Sequence, residues 1–109
     1  MRAGQTPRNI PSAPTQTLQK LYHQLMVCNQ ESFGAQEYDV AYHALMAALH
    51  CAQPLKDIHY LGEIERVART QIAEIDTQHP EYTHSTRSAA RRGHESIFTL
   101  LGRTLDCRP

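Results

Sequence analysis

Asp76 and His79 stand three residues apart, and Glu81 and His84 repeat the spacing just after Pro80. A carboxylate and an imidazole at that distance share one face of a helix. Helical bundles that hold two iron or manganese ions use Glu-x-x-His segments of this kind, on two helices, with further glutamates from two others, all pointing into the core. Here the two pairs fall at the end of one predicted helix and the start of the next, and no other apolar stripe carries a glutamate. Simpler roles account for the same residues. His79 precedes a proline, Glu81 complements the positive end of a helix dipole, and His84 is solvated in a first turn. No cofactor is expected, and a metal- or small-ligand-binding bundle on Asp76, His79, Glu81 and His84 is the alternative.

Asp39 and His43 lie four apart, with His50 seven further on. A carboxylate orienting an imidazole is the arrangement of a general base. No glycine-rich nucleophile turn accompanies it, so an ordinary ion pair worth about 0.2–0.5 kcal/mol on a solvated face is the reading adopted, and the chain is expected not to be an enzyme. Arg87, Arg91 and Arg92, followed by His94, make the strongest local charge. Such a cluster suits a phosphate, an RNA backbone or an acidic protein surface. No aromatic residue is interleaved with the arginines to stack on bases, which argues against nucleic acid and for a protein contact completed by Phe98.

The elements that must position these residues are helices. Apolar residues recur at 3/4 spacing, and alternation at period two does not occur. A first helix is predicted over 14–32, opened by Pro14, with Leu18, Leu21, Tyr22, Leu25, Cys28 and Asn29 on its inner face. A second covers 35–53 after the break "SFG", lined by Tyr38, Ala41, Tyr42, Leu45, Ala48, Leu49 and Ala52, and closes at Pro54. A third, 54–78, carries Ile58, Leu61, Ile64, Ala68, Ile72 and Ile75. A fourth, 80–105, is predicted as one continuous helix. Thr86, Ala89 and Gly93 form a small-residue seam on it, and a mid-helix glycine, costing about 1 kcal/mol against alanine, implies a close-packed neighbour.

Short connections favour antiparallel neighbours, so the expected fold is all-α, an antiparallel up-down four-helix bundle over 14–109 behind a disordered arm, 1–13. Stacked helical hairpins are the competing arrangement. The segment "EYDVAYHALMAALHCAQP", residues 37–54, resembles the second helix of a tetratricopeptide repeat: a tyrosine before small Ala41, then large Leu45, small Ala48 and Pro54. The likeness covers that helix alone. Asn29 and Ser32 stand where the repeat's first helix has a small residue and an aromatic, and no 34-residue recurrence follows.

Composition bounds the function. The 109 residues suffice for about one domain, and eleven basic and eleven acidic side chains leave no global field to draw the chain onto nucleic acid or an anionic membrane. Three widely spaced cysteines, Cys28, Cys51 and Cys107, suit a reducing, cytoplasmic setting, with the first two as small core residues and Cys107 exposed. No apolar run is long enough for a membrane span. The expected function is a helical binding or assembly module, a homodimer or a partner of another protein, acting through Arg87, Arg91, Arg92, His94 and Phe98. RNA or phosphate binding by the arginines is a further alternative.

Overall fold

The computed structural model describes residues 13–93 and 95–101, with Phe98 and Leu101 described by their backbone alone. Residues 1–12 of the expected arm, His94 and Cys107 lie outside the described residues. Five helices and no strand occur among the described residues: α1 (Ala13–Gly34), α2 (Tyr38–Leu55), α3 (Ile58–Gln78), α4 (Thr86–Arg91) and α5 (Ile97–Leu101). The chain is all-α, and none of these helices is long and apolar enough to cross a membrane.

α1 and α2 fold back on each other as a hairpin and make the most extensive helix contact. The alanines of α2 permit it: Ala41, Ala44, Ala48 and Ala52 are all buried, so the partner backbone approaches closely. The turn is closed by a left-handed residue, Gln36, at φ 63°. The Gln36 amide donates to the Phe33 carbonyl and the Glu37 amide to Ser32, both at 2.9 Å, which is the Schellman arrangement. The break therefore falls two residues beyond Gly34, which is the last helical residue of α1. Pro54 does not end the second helix either. It lies inside α2, and the left-handed residue Lys56 at φ 55° makes the stop. The amide that proline lacks would have reached the exposed His50 carbonyl, where water can substitute. Asp57 then caps α3, its carboxylate accepting from the His59 amide at 2.8 Å.

The main core joins all three long helices: Tyr22 and Met26 of α1, Leu45, Ala48 and Leu49 of α2, and Leu61, Ile64, Val67 and Ala68 of α3. The inner face of α1 is Tyr22, Met26 and Asn29, so Leu21 at 41% exposure and Cys28 lie off it, contrary to the predicted stripe. Cys28 stands about 200° around the helix from Met26 and about 100° from Asn29. Cys51 is buried as expected, and desolvation raises its thiol pKa. Ile58, counted in the α3 stripe, is 52% exposed.

The largest departure concerns the fourth helix. Residues 79–85 are turn, and only two short helices follow, separated at Gly93. Gly93 has φ +78°, and its amide donates to the Ala90 carbonyl at 2.9 Å, so it terminates α4. A Cβ built there meets nothing within 4 Å. The Thr86, Ala89, Gly93 seam is thus corrected: Ala89 is buried, Thr86 is an exposed first-turn residue, and Gly93 serves the backbone. Neither a continuous fourth helix nor the long second hairpin of a stacked pair is present among the described residues.

Candidate functional site

The turn 79–85 shows what occupies the sequence-predicted metal residues. Asp76 caps α4: its two carboxylate oxygens accept from the Thr86 amide at 2.8 Å and the Thr86 hydroxyl at 2.6 Å. His79 Nδ1 lies 3.2 Å from Glu81 Oε2, and its ring stands 5.8 Å from Tyr38. Glu81 is held below the usual carboxylate range, first by its own backbone amide and then by His79. The His84 ring lies edge-on to Tyr82 at 5.6 Å. The four side chains are therefore distributed over separate contacts. Among the described residues, no three histidine, cysteine, aspartate or glutamate side chains gather as a metal site requires. Capping competes for the carboxylates, and spacing alone does not foresee that.

Two serines that sequence reasoning passed over hold this turn together. Ser85 is wholly buried; its hydroxyl donates to the Pro80 carbonyl at 2.6 Å and accepts from the Ser88 amide at 3.1 Å. Ser96, 1% exposed, donates to the His84 carbonyl at 2.5 Å. A signal existed in the Ser85-x-x-Ser88 spacing of an N-cap. Arg92 also belongs to this scaffold, donating from Nη2 to the Thr83 carbonyl at 2.8 Å. Arg87 and Arg91 are exposed, and Arg87 lies near enough to Glu81 to lower its pKa. The arginine cluster is thus split between scaffold and surface. Asp39 accepts a hydrogen bond from the Tyr82 hydroxyl, which ties the turn to α2, while His43 and His50 are exposed. Burial and this carboxylate raise the Tyr82 pKa well above the tyrosine range.

A more continuous feature lies between α1 and α3. Their backbones make little direct approach, and side chains bridge the gap. At one end the buried Tyr22 hydroxyl donates to Glu63, and burial followed by this contact raises its pKa far above the usual value. Further along, Asn29 and Gln71 exchange amide hydrogen bonds: Gln71 Nε2 to Asn29 Oδ1 at 2.7 Å and Asn29 Nδ2 to Gln71 Oε1 at 3.2 Å. Asn29 Nδ2 also donates to the Ala41 carbonyl at 2.8 Å, so the pair locks all three long helices. Both amides are buried, at 0% and 3% exposure.

Outside these bridges the surface is hollow in two adjoining places. One, of about 220 Å³, is lined among others by Gln30, Phe33, Val67, Gln71 and Glu74. The other, of about 430 Å³, is lined by His23, Met26, Val27, Glu31, Glu63 and Val67 among others. Gln30, Arg66 and Val67 border both, which makes one groove between α1 and α3. Its lining is mixed: Met26 and Val67 are buried apolar residues, Gln71 is a buried polar one, and Val27, 56% exposed, stands on its rim. The channel runs along two helices that the Tyr22–Glu63 and Asn29–Gln71 bridges hold side by side. No protein-family model, no curated protein and no solved structure matches the chain.

Proposed function

We propose that this protein is a non-enzymatic helical binding module whose three long helices run up, down and up, and whose fourth helix comes from a protein partner. The observation that carries this reading is the α1/α3 groove. The sequence that would have covered it in an antiparallel four-helix bundle is instead divided into turn, α4 and α5, packed at one end of the bundle. Tyr38, Ile75, Phe33, Tyr82 and Ile97 form that end cluster. Val67 and Met26 are therefore left at the bottom of an open channel. An amphipathic helix laid there would bury Val27 and complete the core by the packing that joins the resident helices. Arg87 and Arg91 are exposed on α4 and are no part of the groove's lining.

The test is an NMR titration of the full chain, methyl-labelled, with an 18-residue designed amphipathic helix that has leucines on one face and glutamines on the other. Saturable shifts at the Met26, Val27 and Val67 methyls, with Val40 and Ile58 unmoved, are expected. Val40 and Ile58 are comparably exposed at 49% and 52%, so they control for indiscriminate hydrophobic contact. Shifts spread evenly over all exposed apolar methyls, or none anywhere, would remove the groove as a docking site.

A further inference from the structure

The charges around the groove are unevenly placed, and we infer that the partner helix carries its basic residues in its N-terminal third and runs antiparallel to α1 and α3. This rests on the groove being a helix-binding site and adds the chemistry and direction of the occupant. The bridges fix the register: Tyr22 lies level with Glu63, and Asn29 with Gln71. Glu31, two residues beyond Asn29, and Glu74, three beyond Gln71, therefore face the same end of the groove from opposite walls. Both line it and both are exposed. At the other end, roughly 16 Å away along α3 at 1.5 Å per residue, Glu63 accepts from Tyr22 and lies 3.8 Å from Arg66. That end is close to neutral, whereas Glu31 on the α1 wall and Glu74 on the α3 wall, each lining a different one of the two hollows, lie further toward the C-terminal ends of their helices.

A helix entering this field is attracted most when positive charge meets Glu31 and Glu74. Lysine or arginine side chains supply part of it, and the N-terminal end of a helix dipole supplies about half an elementary charge more. Glu31 and Glu74 lie toward the C-terminal ends of α1 and α3, so an N-terminus placed there gives an antiparallel neighbour to both. Head-to-tail dipoles and the up-down order of a four-helix bundle favour the same direction. The α4 arginines occupy this end of the molecule too, but none lines either hollow, and Arg87 faces Glu81.

The groove also carries a polar mark. Gln71 uses one amide hydrogen on Asn29, and no acceptor for its second is found among the described residues. A single asparagine or serine at the middle of the partner's apolar stripe would satisfy it, as a buried polar pair fixes register in coiled coils. In a parallel pairing of two copies Glu31 and Glu74 would oppose their equivalents, so like charge disfavours that form of self-association.

Lactam-bridged 18-residue helices with one common leucine stripe test the inference. The first has lysines in the N-terminal third, the second has them in the C-terminal third, and the third has N-terminal glutamates. Affinity for the full chain at about 50 mM salt is expected to fall about tenfold or more from first to third, with the second between. The contrast should fade as salt shortens the Debye length to about 3 Å near 1 M. Glu31→Gln combined with Glu74→Gln should erase the contrast, and Arg66→Gln, which leaves Glu63 uncompensated, should narrow the gap between the first and second helices. Both changes lie on exposed side chains, so methyl spectra of the free variants should match the parent. Equal binding of all three helices leaves the groove but overturns the basic, antiparallel occupant. Binding by none overturns both readings. A dimer in sedimentation equilibrium that dissociates on Val27→Arg overturns the choice of a heterologous partner.

Discussion

Asn29 and Gln71 hold the fold's only reciprocal amide pair among the described residues, and they show how one polar choice fixes three helices at once. Removing one member leaves the other buried without its partner, a cost of about 1–3 kcal/mol, whereas replacing both by leucine is nearly neutral. Urea midpoints should accordingly drop for Asn29→Leu and for Gln71→Leu and recover in the double variant; additive losses would show that the pair is not a unit. The tyrosines contribute a pH dependence whose sign follows from their shifts. Tyr22, Tyr82, Tyr38 and Tyr42 all have folded pKa values raised, each by burial first. Their contribution is therefore present in full below the unfolded value of about 10 and lost as pH rises above it, because the unfolded chain then holds fewer protons. Stability measured at pH 8 and pH 11 should fall steeply, and less steeply in Tyr22→Phe. An unchanged slope would mean that Tyr22 ionises freely in the fold.

At the scale of elements, helix ends decided more than helix stripes. Three stops use left-handed residues, Gln36, Lys56 and Gly93, and only the last is a glycine. An L side chain in that conformation costs about 1–2 kcal/mol, so Gln36→Gly should raise thermal stability by a part of that amount. Gly93 allows two roles to be told apart. In a close-packed seam asparagine would be worse than alanine, being larger. At a terminator asparagine is better, because it tolerates the left-handed region and the position is open. Gly93→Ala is expected to cost about 1 kcal/mol and Gly93→Asn less, read from denaturant midpoints; the reverse order would restore the seam. α4 and α5 are short and depend on Asp76, Ser85 and Ser96 for their place. Amide hydrogen exchange should therefore show residues 86–101 opening at lower free energy than the centre of α2, where Ala41, Leu45 and Ala48 are fully buried. Uniform protection across both regions would count against that division.

Among the described residues, three long helices share a core, a capped end closes it, and a groove between α1 and α3 stays open. The sequence by itself determined the helical class, the apolar face of α2 almost residue for residue, and most of α3's stripe. Period 3.6 is a local property that 18 or 21 residues display without help. It also exposed Asn29 as the polar member of an inner face, though not its partner forty-two positions away in Gln71. What only the tertiary structure decided was where helices stop and which groups meet. Residues 80–105 have helical periodicity, yet Ser85 finds the Pro80 carbonyl, Asp76 finds Thr86 and Tyr82 finds Asp39. Those bonds join residues up to forty-three positions apart, and together they outweigh a propensity difference of a few tenths of a kcal/mol per residue. The groove exists for the same reason. Periodicity describes the faces a helix offers, and only packing shows which face is left without a neighbour.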